Sequence, residues 1–209
     1  MRFANSRYFS TVGISLILLF SSIPVISNAG HALLVAFPDY RVSVDKGIDS
    51  RFDLGHAGVL LINKYGSTKY FEFGRYDFRR EGKIREVSVP NIHYSGPGEV
   101  DRNSVMRVLK RLSDHSGQRG KILGAYIPDV DYDAMYQFVQ KSRKSWPDYH
   151  WYSNNCATYA NAVVRAGRPA IAPWFQNAIT TPEVMVRDFL LHGAGEVKYE
   201  PKKDKFCFR

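Results

Sequence analysis

The sequence predicts an α+β domain, an antiparallel sheet flanked by helices. Three observations predict it. Two apolar stretches of strand length, residues 56–63 and 68–74, are separated by Lys64-Tyr65-Gly66-Ser67, a short Gly-containing connection that reads as a hairpin. Later segments carry apolar residues at helical spacing behind capping residues. No internal repeat, low-complexity tract or clear linker divides the chain, so residues 30–209 are read as a single domain behind a leader.

In chain order, residues 1–29 read as an export signal. Arg2 and Arg7 supply a positive start, an apolar core runs from Ile14 to Ile26, and Ser27-Asn28-Ala29 offers small residues for cleavage. The core is shorter than the roughly 20 residues that span a bilayer, so cleavage is expected rather than anchoring, with Gly30 first in the mature chain. Residues 31–37 are a β-rich opening, and residues 84–89 a third strand stopped by Pro90. Residues 91–100 form a loop. Asp101 or Asn103 caps a helix carrying Val105, Met106, Val108, Leu109 and Leu112, ending at Gly117. Residues 121–127 return to strand, and Asp131 or Asp133 opens a helix that finishes before Pro147. Residues 149–152 read as a short strand, followed by a helix from about Cys156 to Ala166. Thr181-Pro182-Glu183 starts the last helix, with an N-cap, a proline at the first turn and an acid beside the dipole. Residues 201–205 read as a solvated tail.

Cys156 is the residue on which chemistry turns. It follows the Asn-rich run Ser153-Asn154-Asn155 and opens a helix, where orphan N–H groups and the helix dipole favour a thiolate. A thiolate is the nucleophilic form. The alternatives are a small buried residue or a disulfide with Cys207, the other cysteine, near the C-terminus.

A cysteine hydrolase needs a base, and histidine suits the task. Of His31, His56, His93, His115, His150 and His192, His56 stands out because it heads an apolar strand between Gly55 and Gly58. His115 and His192 sit near helix C-termini, where partial positive charge is favourable. If the hairpin pairs Ile62 with Gly66, His56 falls opposite Glu72, the only acid among Tyr70, Phe71 and Phe73. A carboxylate there is costly unless paired, so Glu72 is the candidate that orients the imidazole. Asp53 and Asn154 are its substitutes. Tyr152 and the Cys156 backbone N–H are candidates to stabilise an oxyanion, with Asn154 beside them. Trp151, Tyr152, Trp174 and Phe175 are candidates to line a cleft.

The order of these parts resembles the circularly permuted branch of the NlpC-type and papain-like superfamily. Two segments carry the resemblance: residues 55–62 with 70–77, and Asn154-Asn155-Cys156-Ala157-Thr158-Tyr159-Ala160. The resemblance implies a permuted papain-like (NlpC-type) fold with Cys156 as nucleophile, His56 as base and Glu72 as orienting residue. Acyltransferase-like members often carry a second histidine at the place of Glu72, so the acid here leans towards cell-wall hydrolases. The same superfamily supplies some antibacterial toxins delivered by type VI secretion, which keeps that role, and with it an unidentified immunity partner, open.

Charge and missing motifs narrow the rest. The formal charge of +9 becomes +7 once Arg2 and Arg7 leave with the signal, which suits peptidoglycan or another anionic envelope polymer. No basic cluster interleaved with aromatics forms a nucleic-acid groove. Zinc-ligand spacing, a phosphate loop and a Gly-x-Ser-x-Gly elbow are absent, so neither metal nor cofactor is expected. The reading is an exported, periplasmic or secreted cysteine hydrolase that cleaves an amide bond in peptidoglycan stem peptides. A lipid acyl hydrolase or acyltransferase of the same fold, or a non-catalytic envelope-binding module stapled by Cys156–Cys207, are the alternatives.

Overall fold

The computed structural model of the protein describes residues 29–43, 51–52, 54–76, 81–150, 152–171 and 181–209. The export-signal reading therefore lies outside the described residues except at Ala29, as do Asp53, Trp151, Trp174 and Phe175.

The chain opens with β1 (Ala29–Phe37) and a small ribbon, β2 (Val42–Ser43) with β3 (Arg51–Phe52). A meander follows: β4 (His56–Ile62), β5 (Thr68–Arg75) and β6 (Gly82–Val87). A second small hairpin, β7 (Tyr94–Gly96) with β8 (Glu99–Val100), sits in the stretch expected as a loop. Then come α1 (Arg102–His115), β9 (Ile122–Asp131), α2 (Tyr132–Ser145), α3 (Cys156–Gly167), α4 (Pro182–Leu191), β10 (Gly195–Glu200) and β11 (Lys205–Phe208). Seven strands form one sheet in the order β11-β10-β9-β1-β4-β5-β6, and every pairing in it is antiparallel. The α+β architecture is the expected one.

Strand alternation divides the core into two layers. Leu33, Val35 and Phe37 of β1, with Leu60, Ile62 and Tyr70, pack under α1. The helix meets them with Val105, Val108, Leu109 and Leu112, an i, i+3, i+4, i+7 stripe. The other face, with Leu34, Ala36, Val59, Leu61, Phe71 and Phe73, is covered by α2, α3 and α4. Because both faces of β1 are covered, residues 32–37 are apolar throughout rather than alternating. Each helix starts where a side chain can satisfy its orphan N–H groups: Asp101 caps α1, Asp131 caps α2, and Thr181 caps α4.

Three expectations need correction. Of the strand expected over residues 149–152, the described residues Tyr149, His150 and Tyr152 form none; only an isolated bridge joins His150 to Asn154, because the Asn154 side chain closes a turn by donating to the Pro147 and Asp148 carbonyls. The tail of residues 201–205 is exposed from Lys202 to Lys205, as expected, yet it is folded rather than loose. Pro201–Lys203 form a 3₁₀ turn, and β11 then pairs along β10, a strand hidden by its own charges. In β10, buried Val197 and Tyr199 alternate with Glu196, Lys198 and Glu200.

The third correction concerns register. Ile62 pairs with Thr68, not Gly66, so Gly58 rather than His56 stands opposite Glu72. Asn63 is the cause. Its backbone N–H bonds the Ser67 carbonyl, and its side chain accepts from the N–H groups of Tyr65 and Ser67, so the connection takes residues 63–67. A slip of two keeps every side chain on its face, where a slip of one would have reversed them. His56 and Glu72 are thus diagonal neighbours on one face, a separation that two long side chains can span.

Candidate active site

Cys156 is the first residue of α3, and only 4% of it is exposed. Asn155 sets its place through a capping box. The Asn155 side-chain oxygen accepts from the N–H groups of Ala157 (2.9 Å) and Thr158 (3.0 Å), while the Thr158 hydroxyl accepts from the Asn155 N–H at 2.8 Å. The helix packs across β4 and β5, which brings its first residue to the start of β4.

His56 begins β4 and is buried, with Tyr40 and Phe37 rings beside its own at centroid distances of 5.0 and 6.2 Å. Its Nε2 lies 3.3 Å from Oε2 of buried Glu72. Burial alone would lower the pKa of the imidazole. Hydrogen bonds to Cys156 and Glu72, with the charge each brings, outweigh burial and raise it to about 10. Burial likewise works against the Glu72 carboxylate, but the hydrogen bond and positive charge of His56 lower its pKa below the ordinary carboxylate value. The three residues singled out in the sequence are therefore brought together, Cys156 and Glu72 each partnering the imidazole.

Hydroxyl groups surround this pair. Tyr76 Oη lies 3.5 Å from His56 Nε2. Tyr70 and Ser116 are buried; the Tyr70 hydroxyl has no hydrogen-bond partner within the described protein, and Ser116 helps to hold the Glu72 carboxyl below its ordinary pKa. Tyr70 reaches over Gly58, directly across from Glu72; a β-carbon at Gly58 would overlap the Tyr70 hydroxyl. Burial and the charge of Glu72 raise the pKa of Tyr70 and of Tyr76, so both remain protonated donors. The sequence reading missed these residues. The available signal was spacing: Tyr70, Glu72 and Tyr76 are separated by even numbers and so project to the same side of β5 and its extension.

The remaining candidates have other surroundings. Asn154 holds the turn before α3, and Tyr152 is exposed with its ring against His150, centroids 5.6 Å apart. His31 Nδ1 meets the Tyr126 hydroxyl at 2.7 Å, and His192 Nδ1 meets the Asp188 carbonyl at the end of α4. Cys156 and Cys207 are both free thiols. Cys207 lies on β11, four strands from β4 in the sheet order. Strands spaced roughly 4.8 Å apart put it far beyond the roughly 7 Å Cα separation that a disulfide tolerates, which removes the stapled-module reading. Among the described residues, no group of three His, Cys, Asp or Glu side chains could hold a metal ion, and no helix is long and apolar enough to cross a membrane.

With this geometry in view, the likeness to known proteins is informative. The family described as type VI secretion system effector TseH-like matches residues 32–170, a span that contains His56, Glu72, Tyr76 and Cys156. The crystal structure of the type VI secretion system effector TseH is similar with a TM-score of 0.74 and 29% sequence identity, covering 87% of this chain and 98% of that one. No curated protein matches the sequence. A family match over well more than half of the residues, with a shared fold along nearly the whole of a solved effector, shows that the chain belongs to the TseH-like family of type VI secretion system effectors.

Proposed function

We propose that this effector is a cysteine hydrolase that cleaves an amide bond in peptidoglycan stem peptides. The observation that carries the reading is the buried His56–Glu72 pair set against Cys156 at a capped helix start. In the proposed reaction, His56, protonated by virtue of its raised pKa, already holds the proton of the Cys156 thiol, and the Cys156 thiolate Sγ bonds to the amide carbonyl carbon. The oxyanion is received by the Cys156 backbone N–H, an orphan donor of the first helical turn. The His56 imidazolium then protonates the leaving amine as the C–N bond breaks, which leaves a thioester. Acylation removes the hydrogen bond and charge of Cys156 that help to raise the His56 pKa. His56 is then freer to take a proton from the water that hydrolyses the thioester and regenerates the thiol. Glu72 holds the imidazole throughout.

A basic, secreted effector fits an anionic wall polymer, and an immunity protein in the producing cell is the partner its family context supports. Export through the signal at residues 1–29 belongs to the same proposal. Cleavage after Ala29 would leave Gly30 paired with Val130 and β1 almost whole.

Incubating the mature protein with peptidoglycan sacculi, beside Cys156→Ala and His56→Ala, tests the proposal. Muropeptide release by the wild type that is lost in both variants, at least 10³-fold for Cys156→Ala, is expected. No release by folded protein with a free Cys156 thiol would overturn the peptidoglycan reading and direct the search to lipid esters.

A further inference from the structure

We propose that Tyr76 is a positioning residue of this site: its hydroxyl braces the His56–Glu72 pair, and Arg85 clamps its ring in place. The expected effect on turnover rests on the thiol-hydrolase reading; the expected effect on the Cys156 thiol does not.

Tyr76 follows the last residue of β5 and turns back over the strand. Its Oη lies 3.5 Å from the same imidazole nitrogen that meets Glu72 at 3.3 Å. The two rings stand edge to face, at 90° with centroids 6.4 Å apart. The return path depends on Gly74, where a β-carbon would sit 3.1 Å from the Tyr76 hydroxyl and 3.5 Å from His56 Cε1. The first distance is tighter than ordinary van der Waals contact and would push the Tyr76 hydroxyl away, whereas the second is an ordinary contact. On its outer side, the Tyr76 ring carries the Arg85 guanidinium 4.4 Å from its centroid. Arg85 reaches that position from β6, where it pairs directly with Glu72. One exposed cation therefore stacks on the ring and also lies beside the carboxylate that the ring braces. The Tyr76 hydroxyl and the Glu72 carboxylate thus both lie against the same nitrogen of His56. Packing alone would need the ring but not the hydroxyl.

Tyr76→Phe keeps the ring and removes that hydroxyl. The readout is the pH dependence of Cys156 alkylation by iodoacetamide, in a Cys207→Ser background so that one thiol reacts. An imidazolium that loses the hydroxyl oxygen beside its Nε2 holds its proton, and with it the Cys156 thiolate, less well, so the acidic limb of the profile should move to higher pH. Alkylation near pH 6 should fall severalfold, with an unchanged melting temperature. Arg85→Met should shift the limb in the same direction by a smaller amount. On peptidoglycan, Tyr76→Phe should lower kcat about tenfold and leave KM within about twofold, the pattern of lost transition-state positioning. A Tyr76→Phe alkylation profile that superposes on the wild type overturns the inference. A shifted profile in a protein whose wild type releases no muropeptides upholds the positioning role and sinks the substrate assignment instead.

Discussion

At the scale of single residues, the buried His56–Glu72 pair makes stability depend on pH in a defined direction. The His56 pKa is raised from 6.5 to about 10, so its contribution is fully present below pH 6.5 and is lost as pH rises towards 10. The Glu72 pKa is lowered from 4.5, so its contribution is present above pH 4.5 and is lost as pH falls through the depressed value. The pair therefore stabilises most between these limits. Urea unfolding of the wild type should give its largest free energy near pH 5 to 6, with a decline through pH 9. Glu72→Gln removes one of the two partners that raise His56, so the decline above pH 6.5 should become shallower; equal slopes in the two proteins would contradict the pairing. His56→Ala, which leaves Glu72 buried without its cationic partner, should cost about 3 kcal/mol. His56 and Glu72 were legible because a polar residue in an apolar strand demands a partner. Tyr70, Ser116 and Tyr76 were not, because a tyrosine or serine beside a strand looks like ordinary packing until the backbone shows where its hydroxyl goes.

At the scale of elements, the site is the meeting of one helix start and one hairpin. The helix start was readable from Asn155 and Cys156 because capping is local, and its chemistry lies within a few residues of sequence. The hairpin was readable only to its face. Its register depends on Asn63, whose side chain satisfies two N–H groups of the connection and lengthens it, an effect that apolar patterning does not reveal. The strand expected over residues 149–152 gave way for a similar reason: Asn154 spends its amide on the Pro147 and Asp148 carbonyls and fixes a turn. These two asparagines show that local hydrogen bonding by short polar side chains competes with the strand ladder. Asn155 offers a direct test. Asn155→Ala removes the acceptor for the Ala157 and Thr158 N–H groups and should cost about 1 kcal/mol of stability by denaturant titration. The same variant should slow Cys156 alkylation, since the first turn that holds the thiol is then free to fray. Asn155→Asp, which keeps the acceptor, should retain most of the stability; a loss equal to that of alanine would show that the cap is not what holds α3.

At the scale of the whole molecule, the candidate site and the sheet extension lie at opposite sides of the central strand. His56, Glu72 and Tyr76 sit on β4, β5 and the residue that follows, whereas β10 and β11 extend the sheet beyond β9. These last strands also fall outside the span of residues 32–170 that the family match covers. Their work is structural. Val197 and Tyr199 are buried in the layer under α1, and β10 occupies the hydrogen-bonding edge of β9. A chain ending at residue 194 would lose two side chains worth about 1.5–3 kcal/mol each, roughly 3–6 kcal/mol together. It would also bare β9 as an edge strand open to pairing with other chains. The melting temperature should fall by about 10 °C or more, with aggregation on heating. In the fraction that remains folded, the pH profile of Cys156 alkylation should match the full chain, because β10 and β11 lie three and four strands from β4, which His56 begins. A melting temperature within about 2 °C of the full chain would show that these strands are dispensable. A displaced alkylation profile would instead show that the far edge of the sheet is coupled to the site, and would make β10 and β11 part of its machinery.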